Sequence, residues 1–348
     1  MGEFDFAHDL EADLEKQQLR EALREASSKL AKANNKADVL AQAAFEGARN
    51  AMQALGKPKL VKAPTLRGGP GKPEVALWHL TDWQGAKKTT SYNSQVMIER
   101  VHKFWRKASE ITEIQRQDHP VDKCIVVAGG DMGEGLFNFP TQPYEIDMTL
   151  FAQFVNVARL FADTLLFAAT VYSEVDPITE WGNHGRIGDK RAAVPRSDNF
   201  DRMIYWLAKE MTSHEPRIKW PDVPVEEFFV EDIQRIEVGN YRALAIHGDE
   251  IGRGGFASPT TIVQHANRWR SGAYPWEFRD VYMGHYHTHA EWPLANGEGA
   301  VYQTGSTESD NRYARDTMAA SAKPSQRVHF IEPQKGVVTA QYKIRLED

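Results

Sequence analysis

Apolar and polar positions divide the chain into two textures. Over the first 56 residues, Leu19, Leu23, Ala26, Leu30, Ala33, Ala37, Leu40 and Ala44 succeed one another at steps of 4, 3, 4, 3, 4, 3 and 4. This heptad seam lies in a stretch rich in Ala, Leu, Glu, Lys and Gln, with no proline before Pro58, and predicts a long amphipathic helix. A helix over 10–55 would be roughly 70 Å long. Such a seam is expected to act as a helical, coiled-coil-like arm over 1–56 that joins copies into a homo-oligomer; the alternative is a helix lying on its own domain. Residues 57–73 are dense in Pro and Gly and predict a linker without regular structure.

From Glu74 the pattern changes to short apolar runs alternating with amphipathic stretches, and residues 74–348 read as one catalytic domain. Apolar runs over 75–80, 123–128, 243–246 and 280–283 predict buried strands, and further strands are expected near 300–304, 326–332 and 336–345. Helices are expected over 94–116, 146–172 and about 198–212. The alternation predicts an α/β fold with a β-rich end.

Composition changes this picture in three ways. Cys124 is the only cysteine of 348 residues, which excludes a disulfide framework and a Cys-rich zinc module. The start of the chain is acidic with no apolar targeting segment, and no stretch approaches the roughly 18 apolar residues needed to span a bilayer. A reducing cytoplasm and no membrane partner are therefore expected. The net charge of −6 is uneven: residues 1–73 carry +2 and the remainder −8, while 57–73 holds Lys57, Lys59, Lys62, Arg67 and Lys72 with no acid. The chain is not a generic polyanion binder, but the linker could lie along a phosphate backbone.

Polar residues recur just past the carboxyl ends of strands, where an α/β sheet exposes its ligand-binding loops. These points are Asp82-Trp83-Gln84, Gly130-Asp131-Met132-Gly133-Glu134, Gly182-Asn183-His184-Gly185-Arg186, His247-Gly248-Asp249 and Gly284-His285-Tyr286-His287. All the side-chain donors are oxygen or nitrogen, a set that suits Mn²⁺, Fe²⁺ or Zn²⁺. Trp181, Trp269 and Trp276 are candidates for base stacking. His79, inside an apolar strand, reads as a core histidine, and His289 as an ordinary one.

In the order DWQ, GDMGE, GNHG, the His of AIHGDE, and GHYH, at positions 82, 131, 183, 247 and 285, the chain resembles the calcineurin-like metallophosphoesterase superfamily. The GNHGR form and the closing stretch over 304–326 bring it nearest to phage-encoded and Mre11-like phosphoesterases and nucleases. The resemblance implies a four-layer α-β-β-α sandwich and two divalent metal ions, Mn²⁺ first, with Fe²⁺, Zn²⁺ or Mg²⁺ as alternatives. It implies that Asp131 bridges the metals, Asp82 and His287 hold the first, and Asn183, His247 and His285 hold the second. His184 would sit outside the metal shell and assist the leaving oxygen, and Arg186 is placed to bind a phosphate oxygen. The implied activity is hydrolysis of phosphodiester bonds by metal-activated hydroxide, with DNA as the expected substrate. A small-molecule or cyclic-nucleotide phosphodiesterase and a non-catalytic scaffold are the alternatives.

Three positions depart from the pattern. Gln84 stands where histidine is usual and is a neutral, poorer ligand, which predicts a weaker first metal. Glu134 replaces aspartate. Gly185 replaces the acid after Asn-His, so the carboxylate that orients His184 must be supplied by Glu134 or Asp249.

Overall fold

Two five-stranded mixed sheets form the centre of the computed structural model, which is described for residues 61–65, 68–136, 138–187, 195–251, 257–310 and 323–347. The arm expected over 1–56 lies outside these residues. In the first sheet the strand order is β10-β9-β1-β2-β3, with β1 (Glu74–Leu80), β2 (Val121–Gly129), β3 (Glu174–Glu180), β9 (Ser325–Glu332) and β10 (Val337–Arg345). Here β1, β2 and β3 run parallel, and β9 and β10 add antiparallel. The second sheet has the order β4-β5-β6-β8-β7, from β4 (Gln234–Val238), β5 (Tyr241–Ala245), β6 (Asp280–Met283), β7 (Ala290–Pro293) and β8 (Ala300–Gln303). Its β5, β6 and β8 are parallel, and its two edge strands are antiparallel.

Side chains alternate across each strand, so every buried strand serves two layers. Leu77, Ile125 and Val127 of the first sheet pack against Ile236, Ala243 and Tyr282 of the second, which makes the core between the sheets. On the outer side of the first sheet, Trp78 meets Phe104 edge-on at 5.3 Å and Tyr172 at 5.7 Å. Phe104 belongs to α1 (Ser94–Gln115), whose buried Met97, Val101, Phe104 and Ala108 repeat at helical spacing and whose N-terminus is capped by Asn93. α2 (Leu150–Val171) and α3 (Phe200–Thr212) pack against one another, with Phe161 of α2 set edge-on to Tyr205 of α3. On the outer side of the second sheet, Leu244, Val281 and Val301 lie against Ile262 and Ala266 of α4 (Pro259–Arg268). Helices therefore cover both outer faces of the paired sheets.

One expectation needs correction, and two features lie outside what the pattern predicts. α2 is long and apolar enough, by length and composition, to cross a membrane, against the expectation that no stretch approaches this; 61 % of its most apolar window is buried in the protein, as in a core helix. Strands β3, β4 and β7 have no bounds in the hydrophobic pattern because all three are sheet edges, where short, half-polar strands are tolerated. Pro177 in β3 fits that position, since a proline cannot donate to a second neighbour. Finally, the end of the Gly/Pro stretch has no regular structure but is docked: the Gly69 and Gly71 amides donate to the carbonyls of Arg116 and Asp118. A Cβ on Gly69 would come within 2.3 Å of the Gln117 carbonyl, so only glycine permits that approach.

Candidate metal centre

Parallel strands within each sheet place their carboxyl ends at one rim, and the two rims meet. β1, β2 and β3 deliver Asp82, Asp131 and Asn183; β5 and β6 deliver His247, His285 and His287. Among the described residues, nine non-glycine residues have positive φ, and five of them are Asp82, Gln84, Asp131, His285 and His287. Left-handed backbone at such residues costs about 1–3 kcal/mol each and persists only where the surroundings enforce it. The strain turns each chain sharply out of its strand and aims the side chains inward. Two neighbouring glycines make room: a Cβ on Gly182 would lie 1.9 Å from Asp131 Oδ1, and one on Gly284 would lie 2.3 Å from Asp82 Oδ2.

Asp131 is the meeting point. Its Oδ2 lies 3.2 Å from His247 Nε2 and accepts from Gln84 Nε2 at 3.3 Å, while Oδ1 accepts from the His184 amide at 2.7 Å. On one side, Asp82 Oδ1 lies 3.2 Å from His287 Nε2, and Gln84 Nε2 lies 3.4 Å from the same nitrogen. On the other, His247 Nε2 lies 3.1 Å from Asn183 Oδ1, and the His247 and His285 rings meet at 5.1 Å. One ligand atom each from Asp131, His247 and His285 falls within 4.8 Å of the others. The seven residues expected as metal ligands thus lie in one chain of contacts around Asp131, and Asp131, His247 and His285 are the three whose ligand atoms come near enough together to share an ion.

The chemistry of the donors fits divalent cations. Buried Gln84 Oε1 has no hydrogen-bond partner, which is rare for a buried oxygen, and Asp82 Oδ1 has the His287 imidazole beside it at 3.2 Å. The Gln84 amide turns its nitrogen to Asp131 and His287; half a turn about its last bond would present the oxygen instead. His247 Nδ1 donates to the Gly129 carbonyl at 2.8 Å and His287 Nδ1 faces Glu308 Oε2 at 3.1 Å, so in both rings Nε2 faces the cluster. This outer support is typical of metal-ligating histidines.

Electrostatics show the same crowding of negative charge. Burial raises the carboxyls of Asp131 and Asp82, but imidazoles override it: His247 and His184 hold Asp131, and His287 holds Asp82, below the usual range. Burial disfavours a charged imidazole at His287, yet Asp82 and Glu308 push it up to about 10. His285, by contrast, is depressed to about 4 by burial and by His247.

His184 stands beside the cluster, with Nε2 3.9 Å from Asp131 Oδ2 and Nδ1 3.1 Å from Glu134 Oε2. Of the two carboxylates expected to orient it, Glu134 is the one that reaches it. Glu134 is itself held by Lys87 at 3.1 Å, which bonds Glu145 at 2.8 Å. The ring of Phe139 lies 4.9 Å from that of His184. Arg186 pairs with Asp249 and, among the described residues, makes no hydrogen bond to Asp131 or His184.

Several supporting residues carry no motif. Asp201, in the first turn of α3, accepts from the amides of Asp131, Met132, Gly133 and Gly182 at 2.7–3.2 Å, which ties two ligand loops together. Burial, then the nearby Asp131, raises its carboxyl to about 6. The only signal for Asp201 in the chain is its place after the helix-capping Asn199. Gln142 fixes the loop that carries Phe139 by accepting from the amides of Asn138 and Phe139 and donating to the Glu134 carbonyl. Trp181 is 2 % exposed and has no face to offer a base; Trp269 and Trp276 are partly buried against the outer core of the second sheet.

No protein-family model and no curated protein matches the chain. Solved structures do. Vps29 of Entamoeba histolytica, complexed with Zn²⁺, aligns at 9 % identity over 78 % of this chain and 99 % of its own, with a TM-score of 0.33. A predicted phosphoesterase of Streptococcus pneumoniae aligns at 11 % identity over 78 % and 98 %, with a TM-score of 0.31. A putative 5′-nucleotidase of Staphylococcus aureus aligns at 11 % identity over 79 % of this chain and 55 % of its own, with a TM-score of 0.34. At these scores the likenesses carry no argument about activity.

Proposed function

We propose that the chain is a two-metal phosphoesterase that hydrolyses phosphodiester bonds, with DNA as substrate. The observation that supports this reading best is Asp131, shared between two oxygen-and-nitrogen donor sets with His184 at its border. Asp82, Gln84, Asp131 and His287 would hold one cation, and Asp131, Asn183, His247 and His285 the other. When bound, the cations would lower the pKa of a water and neutralise charge on the phosphate oxygens. The residues of the chain supply the rest. Asp131 holds the two donor sets in register, and Glu134 faces Nδ1 of His184 and leaves Nε2 directed at the cluster. Burial opposes the proton on His184, but Glu134 and Asp131 raise its affinity, so His184 can carry one to a departing alkoxide.

A net charge of −8 over 74–348 favours a second reading, a diesterase of small nucleotides, because a polyanion would meet repulsion away from the metals. A Mn²⁺ panel of labelled single-stranded DNA, duplex DNA, RNA, cyclic nucleotides and bis-p-nitrophenyl phosphate separates the two. Cleavage of DNA is the expected result. Turnover of bis-p-nitrophenyl phosphate with DNA left intact would transfer the assignment to small nucleotides. Absence of both bound metal and turnover would leave a scaffold.

A further inference from the structure

A pair of cations stands beside the ligand cluster. Arg186 lies two residues past His184, and Asp249 two residues past His247. Two residues of chain span about 7 Å at most, so both border the cluster. Arg186 Nη2 donates to Asp249 Oδ2, and Arg196 Nη2 lies 3.2 and 3.3 Å from the two oxygens of the same carboxylate. Arg196 Nη1 also lies 3.3 Å from Asp232, and its Nη2 3.9 Å from Glu250. Neither guanidinium's Nε–H has a hydrogen-bond partner, and both nitrogens are buried. The side chains as a whole are 24 % and 39 % exposed.

Two guanidinium forks around one carboxylate match the way arginines hold a phosphate, by planar, charge-assisted hydrogen bonds. Resting on the diesterase reading above, we infer that Arg186 and Arg196 form a second phosphate subsite that takes the phosphate next to the one being cleaved. Asp249 holds the two side chains in place and yields them to the incoming anion. The subsite selects a chain with at least two phosphates, as in an oligonucleotide, over a cyclic nucleotide or an isolated diester.

The test compares thymidylyl-thymidine with its 5′- and 3′-phosphorylated forms in Mn²⁺. One phosphorylated form is expected to show a KM about tenfold lower, as for a hydrogen bond to a charged group. Arg196→Ala should erase that advantage, and Arg196→Lys, which keeps the charge without the fork, should restore part of it. A second measurement needs no turnover: anisotropy of labelled oligothymidylate with the full chain in EDTA. Arg196→Ala should reduce the slope of log affinity against log salt by about 0.7, one phosphate contact on a single strand. Asp249→Asn should tighten that binding. Equal KM for all three dinucleotides, or oligothymidylate binding unaltered by Arg196→Ala, would overturn the subsite. If no substrate turns over, the diesterase reading fails, and the anisotropy series decides the subsite alone.

Discussion

Between the sheets, His79 and His329 belong to a continuous polar chain; at the strand ends, His247, His285 and His287 crowd two carboxylates. In the first region, His79 Nδ1 meets Thr304 Oγ1 at 2.7 Å, and Arg327 donates to that oxygen at 3.3 Å and reaches His329 Nε2 at 3.0 Å. The chain continues through His329, Tyr282 and Tyr241 to Asp280, at 2.9, 3.1 and 2.8 Å. Burial and Arg327 depress both imidazoles, His79 to about 3, so they are neutral links between one buried cation and one buried anion. In the second region the carboxylates, not the cations, dominate, as the rise of His287 beside Asp82 and Glu308 shows. The backbone there is strained, while among the described residues no member of the polar chain has positive φ. The difference separates histidines that complete a core from histidines arranged for a ligand. A hydrogen-bonded core chain, in which His79 Nε2 has no partner, specifies how the sheets register; carboxylates crowded on strained backbone are suited to bind.

Substitutions should divide along the same line. The largest effect is expected for Asp131→Asn, which removes the shared carboxylate: a loss on the order of 10³ in Mn²⁺-dependent turnover of bis-p-nitrophenyl phosphate, equivalent to about 4 kcal/mol. A loss under tenfold would remove Asp131 from its bridging place. Next, His184→Ala should lower kcat about 100-fold with metal content unchanged by mass spectrometry; loss of metal instead would make His184 a ligand. Tyr282→Phe breaks the core chain and should cost about 1–3 kcal/mol in urea unfolding, because buried groups lose partners. Equal stability would show that the chain is not needed for the core. The smallest effect sharpens the comparison from the site's side. Gln84→His should lower the Mn²⁺ concentration for half-maximal activity about tenfold, since imidazole is the better donor. An unchanged metal requirement would take Gln84 out of the ligand set.

The candidate site was legible where chemistry follows a strand directly. Asp82, Asp131, His247, His285 and His287 stand just past apolar runs, and parallel pairing brings such ends together; Asn183 follows β3, which the pattern does not mark, and was legible through its Gly-Asn-His setting alone. Glu308 and Asp201 were not legible, because each supports a ligand from a position that no spacing marks: one past β8, one in a helical first turn. The same holds for Arg196, which among the described residues meets Arg186 through Asp249. Edge strands were missed for a related reason, since half-polar sequences such as that of β4 show little periodicity.

The sequence by itself determined the alternation of strands and helices, the order of the donor-bearing loops and the absence of thiol ligands. Those follow from local periodicity and residue chemistry, which every short segment carries within itself. Only the tertiary structure decided that Glu134 rather than Asp249 orients His184, that Arg186 is tied to Asp249, and that Trp181 is buried. These depend on distances between segments far apart in the chain, and such distances are set by how two sheets pack.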